Sequence, residues 1–206
     1  MTPLRTWIIW ALAAAGAALA GFWLARQLDI DRTAPQLASG TWLPQPRPIP
    51  DVQLTDHGGR PFSAADLKGH PTLVFFGFTH CPDVCPTTMA QLAQIKAAAA
   101  LPDLQVLLVS VDPERDTPET LERYVHAFDP DFIGLTGTPQ AIEELTSAMG
   151  VAVARTELPG GDYTVDHSAA VFLLNAQGQM VGVFTPPFDV SRFAEDLRRA
   201  APHLGV

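Results

Sequence analysis

The stretch Thr72-Leu-Val-Phe-Phe-Gly-Phe78 restricts the fold of this chain more than any other. Its apolar side chains run on continuously instead of alternating. That is the pattern of a strand buried on both faces, and so of a sheet covered by helices on either side. The run leads directly into Thr79-His-Cys-Pro-Asp-Val-Cys-Pro86, which holds the only two cysteines in the chain. Helical spacing follows from Thr87 to about Ala100.

The remaining elements alternate in the same way. Val52–Thr55 and Phe62 flank Gly58-Gly59 as a small hairpin, and Ser63 caps a short turn over 64–67. Leu104–Val111 is a second continuous apolar strand. Thr117 and Pro118 open a helix to Phe128, and Phe132–Leu135 is a short strand. Thr138 caps a helix over 139–149 that stops at Gly150. Ala170–Leu174 and Met180–Phe184 flank Asn175-Ala-Gln-Gly178 as a hairpin, and Asp189 caps a last amphipathic helix. The expected class is α/β, a mixed central sheet flanked by helices. A buried strand entering a cysteine turn and then a helix is the thioredoxin-like layout. With 47% hydrophobic residues, the core does not depend on a disulfide for its stability.

Ahead of this domain, Trp7–Ala25 carries no charge over 19 residues, about the length that spans a bilayer core. Arg5 precedes it and Trp7, Trp10 and Trp23 lie near its ends. The positive-inside bias leaves residues 1–6 in the cytoplasm and exports the rest. Ala18-Leu19-Ala20 offers a cleaved signal peptide as the alternative, and both readings place the domain in an oxidising compartment. Residues 26–48 read as a Pro-rich linker in extended polyproline conformation, with the domain at 49–206. The formal charge of −9 argues against nucleic acid.

The cysteine turn admits several chemistries. Pro86 suits the first helical position, which puts Cys85 at the cap and Cys81 in the loop before it. The helix dipole is then expected to lower both thiol pKa values, which serves redox chemistry and metal binding alike. Thiol-disulfide oxidoreductases of this layout separate their cysteines by two residues, whereas Pro82, Asp83 and Val84 intervene here. A disulfide can still close, and two thiolates can also face one metal ion. A metal needs a third ligand. Of six histidines, His57, His70, His126 and His203 read as solvated or capping, and His80 is a weak candidate. His167 lies at the start of a buried strand whose end can reach the Phe78 strand, with Asp166 placed to orient it. The competing reading is an ordinary core histidine. Two thiolates and an imidazole suit copper, or zinc with a fourth ligand; Met89 is soft enough but reads as core. Asp112 and Asp116 read as caps for the helix at Pro118.

The stretches FFGFTHCPDVCPTTMAQL (75–92), VSVDPERDTPETLERY (109–124), FIGLTG (132–137) and VDHSAAVFLLNAQG (165–178) together resemble the SCO/SenC family of membrane-anchored copper proteins. The resemblance implies a thioredoxin-like domain binding Cu(I) or Cu(II) through Cys81, Cys85 and His167, with a Cys81–Cys85 disulfide as the oxidised, unloaded state. It implies a copper metallochaperone rather than an enzyme, assembling the CuA site of cytochrome c oxidase subunit II. The alternative is a thiol-disulfide reductase for the cysteines of that subunit. Other copper chaperones or thiol reductants are the further partners implied. The location implied is the inner membrane of a bacterium, single-pass, with the domain facing the periplasm. A peroxide-reducing relative would need an arginine near the cysteines, and none is close in sequence.

Overall fold

The computed structural model describes residues 7, 10, 12–23 and 34–205. Residues 7, 10 and 12–23 are helical, with Trp7, Trp10, Leu12, Leu19, Phe22 and Trp23 exposed. Among the described residues, no helix is long and apolar enough to cross a membrane. The expected cytoplasmic segment 1–6, parts of the 7–25 span and residues 26–33 of the expected linker lie outside the described residues.

From Pro35 onward the chain forms one compact unit. Its strands are β1 (Gly40–Pro48), β2 (Leu54–Asp56), β3 (Pro61–Phe62), β4 (Thr72–Gly77), β5 (Gln105–Ser110), β6 (Ile133–Gly137), β7 (Val153–Glu157), β8 (Tyr163–His167), β9 (Val171–Leu174) and β10 (Gln179–Phe184). Its α-helices are α1 (Val84–Ala99), α2 (Pro118–His126), α3 (Pro139–Met149) and α4 (Val190–Ala200). Eight strands make one mixed sheet in the order β1-β10-β9-β4-β5-β6-β2-β3. β4 lies near its middle, parallel to β5 and antiparallel to β9, and every one of its residues is buried. The continuous apolar run is therefore what a central strand between two neighbours requires.

Local signals set the helices. Thr117, Thr138 and Asp189 each accept a backbone N–H of the first turn of α2, α3 and α4. Gly150 ends α3 at φ +74°, a left-handed conformation that favours glycine. Helix α1 begins at Val84, ahead of the expected Pro86, so Cys85 is its second residue. Pro86 still falls in the first turn, where a backbone N–H has no intrahelical partner to lose.

Two expectations need correction. The Pro-rich stretch is not a free linker over 40–48; it is β1, an edge strand paired antiparallel with β10 across an irregular register between Trp42 and Arg47. Pro44, Pro46 and Pro48 are two apart, so in an extended chain their nitrogens share one edge, and an edge strand can spare that row of donors. Just before β1, the fully buried Asp196 of α4 accepts the N–H of Ala38 (2.8 Å), the N–H of Ser39 (2.6 Å) and the Ser39 hydroxyl (2.7 Å). The second correction concerns His167. It does not begin a buried strand; it ends β8 of a separate two-stranded ribbon, β7–β8, in which Val153 pairs with His167. The buried strand β9 begins four residues later.

Candidate metal centre

The end of β4 delivers Phe78 into the cysteine turn, and α1 leaves that turn with Cys85 in its first turn. β9 runs antiparallel to β4, with Val171 opposite Phe75, so the segment before β9 arrives at the same end of the sheet. There the ribbon places His167. The sulfurs of Cys81 and Cys85 and a ring nitrogen of His167 lie within 4.8 Å of one another. Nε2 of His167 is 3.2 Å from Sγ of Cys85. An ion about 2.0–2.3 Å from each of three donors spaces them roughly 3.5–4 Å apart in a trigonal arrangement, so little movement is required. Among the described residues, no other group of three histidine, cysteine or acidic side chains is placed this way.

Cys85 is fully buried and Cys81 is half-buried; both are free thiols, so the disulfide that the resemblance implies for the oxidised state is not formed here. The N–H of Cys85, one of the unpaired donors at the start of α1, donates to Sγ of Cys81 at 3.4 Å. The start of the helix therefore serves Cys81. For Cys85 burial works against the expected lowering: it pushes the thiol well above the ordinary range, with Cys81 and Asp116 adding to the shift and the Phe78 backbone opposing it. Gly77 provides the space for that sulfur. A Cβ there would stand 3.1 Å from Sγ of Cys85, 3.0 Å from the Phe75 ring and 3.2 Å from Leu108.

His167 packs edge-on to Phe75 and Phe78, each ring centroid 5.9 Å away. Burial lowers its pKa, which favours the neutral ring, against the opposing pull of the Ser168 carbonyl and Asp166. Its Nδ1 is 3.1 Å from the Ser168 carbonyl and donates to it, which leaves the Nε2 lone pair facing Cys85. The ring is thus oriented by a backbone carbonyl and not, as expected, by Asp166. That carboxylate is exposed and accepts from the Thr156 hydroxyl at 2.9 Å.

Other sequence candidates fall elsewhere. Met89 is wholly inside the core. His80 is exposed, its Nδ1 3.1 Å from the Thr79 hydroxyl. His57 is not simply solvated: its Nδ1 accepts the N–H of Gly134 (3.1 Å) and its ring meets that of His126 at 4.8 Å. Asp112 and Asp116 do not cap α2, since Thr117 does. They are buried, Asp112 accepting from the Tyr163 hydroxyl and Asp116 from Thr79 and Ser110. Gly77, Thr79, Arg115 and Tyr163 were not identified as site residues from sequence. The one available signal was two acidic residues in the DPERDT stretch at the same sheet end as the cysteines.

Comparison with known proteins places these observations. The SCO1/SenC family matches residues 44–202. The human mitochondrial protein SCO2 homolog is 37% identical over 187 residues, 88% of this chain and 69% of its own. The solved structure of Bradyrhizobium japonicum ScoI with copper bound has 38% identity and a TM-score of 0.68, covering 74% of this chain and 98% of that one. Arabidopsis thaliana ScoI with copper bound has 32% identity and a TM-score of 0.72, covering 75% and 98%.

Proposed function

This chain belongs to the SCO1/SenC family, and on that footing we propose that it is a copper metallochaperone holding one ion between Cys81, Cys85 and His167. The observation that carries this reading is the convergence of three soft donors, with the bare nitrogen of a neutral imidazole turned toward a sulfur. Thiolate and imidazole select copper over hard cations, and the small number of ligands keeps it exchangeable. Both thiols give up protons to bind, so loading strengthens as pH rises and requires the reduced pair. The recipient is the CuA site of cytochrome c oxidase subunit II, and other copper chaperones or thiol reductants load and recharge the site. Residues 7–25 anchor the protein in the inner membrane of a bacterium with the domain in the periplasm. The exposed apolar side chains of the helical residues 7, 10 and 12–23 support an anchor, since lipid is the medium that suits them.

The test is copper uptake by the reduced full chain, wild type beside His167→Ala, read by stoichiometry and thiolate-to-copper charge-transfer absorption. One copper with that band in the wild type, and its loss or marked weakening in the variant, is the expected result. Equal binding by both removes His167 from the site. A thiol-disulfide reductase acting on the subunit II cysteines is then the better account. The free, half-buried Cys81 beneath a helix N–H favours that second reading, with the Cys81–Cys85 disulfide as its oxidised form.

A further inference from the structure

Asp112-Pro-Glu-Arg-Asp116 joins β5 to α2 and contributes no ligand, yet it holds both sides of the centre. On the cysteine side, the fully buried Asp116 accepts the Thr79 N–H (3.1 Å), the Thr79 hydroxyl (2.6 Å) and the Ser110 hydroxyl (2.6 Å). Thr79 lies two residues before Cys81, at the point where the chain leaves the sheet. On the histidine side, the Tyr163 hydroxyl donates to Asp112 at 2.7 Å. Arg115 donates to the Tyr163 carbonyl at 3.1 Å and lies 3.7 Å over its ring. Tyr163 and His167 are the first and last residues of β8. Within the loop, Arg115 pairs with Asp112, and the Asp116 N–H donates to the Asp112 carbonyl at 3.0 Å, so the two grips form one unit.

Such a device answers a physical need. A two-stranded ribbon is marginal by itself, and every residue of β7 is exposed. Beyond the burial of Val165 in the core, the position of His167 relative to the cysteines must therefore come from side-chain ties to the main body. A fully buried carboxylate is costly unless its oxygens are matched, and Asp116 is not needed as a helix cap because Thr117 serves. We propose that the Asp112–Asp116 loop is a two-ended positioning clamp. Asp116 fixes the cysteine turn, Asp112 and Arg115 fix the ribbon through Tyr163, and together they set the imidazole against the sulfurs. This rests on the copper reading above.

The experiment compares the full chain with Asp116→Asn, Tyr163→Phe and the double variant. It measures copper affinity by competition with a chelator, and the paramagnetic resonance of the Cu(II)-loaded protein. Each single variant should bind about 10- to 100-fold more weakly. Tyr163→Phe should keep thiolate-to-copper absorption but lose nitrogen coupling from His167. The double variant should fall within about twofold of the weaker single, because a clamp open at one end aligns nothing at the other. Singles that bind like the wild type, or losses that multiply in the double, overturn the clamp. Tyr163→Phe removes one hydroxyl and keeps the ring, so it decides alone if Asp116→Asn does not fold. If the wild type takes up no copper, the copper reading fails and the clamp is judged on the metal-free chain. There Tyr163→Phe should release the ring-current shifts that Phe75 and Phe78 impose on His167, and their retention overturns the clamp.

Discussion

At the scale of single residues, Gly77 shows how tightly the centre is fitted. Gly77→Ala would push a methyl against Sγ of Cys85, the Phe75 ring and Leu108, all buried and none free to swing aside. Such overpacking costs about 1–3 kcal/mol. We predict a lower urea midpoint together with weaker copper uptake, because the neighbour displaced is a proposed ligand; an unchanged uptake would separate Gly77 from the site. Residue chemistry alone singles out Cys81 and Cys85 and leaves His167 open between a ligand and a core histidine, and it misplaces Asp166. Successive residues on a strand point to opposite faces, so adjacency to His167 turns Asp166 away from the ring. Gly77, Thr79 and Tyr163 were not legible because their roles depend on partners distant in the chain.

At the scale of elements, what the chain fixes locally was readable and what it fixes by pairing was not. Thr117, Thr138, Asp189 and Gly150 announce helix ends because caps and stops act within a few residues. The β7–β8 ribbon and β1 escaped. The first is too exposed to carry an apolar pattern, and the second is disguised by its prolines. The tie between Asp196 and the entry to β1 has a measurable weight. Asp196→Ala leaves the Ala38 and Ser39 amides without their carboxylate, and a hydrogen bond to a charged group is worth about 1.5–3 kcal/mol. We expect destabilisation of about that size, with faster hydrogen exchange at Ala38 and Ser39 and in β1. Wild-type exchange there would mean that the strand holds without its tie.

At the scale of the whole molecule, the fold keeps a neutral thiol inside it. Burial raises the Cys85 pKa above its ordinary 9.0, and Tyr124 is raised for the same first cause, reinforced by Cys85, Cys81 and Asp116. A raised folded pKa gives stability that is complete below the unfolded value. It is lost as pH climbs beyond it, when the unfolded chain sheds protons that the fold retains. The metal-free chain should therefore have a flat urea midpoint through neutral pH and a falling one above about pH 9, with a shallower fall in Cys85→Ser. An equal fall in both would assign the effect to other groups.

The proposed ligands also stand on supports of unequal size. Two sulfurs ride on a central strand and the helix that follows it, while the nitrogen rides on a ribbon outside the main sheet. The consequence concerns rate more than strength. On the copper reading, a ribbon outside the main sheet is the part expected to open first, which would expose the ion by a local opening and not by unfolding. A recipient that supplies one donor during that opening can take over the ion step by step. The lifetime of the loaded state is then set by how often the ribbon lifts.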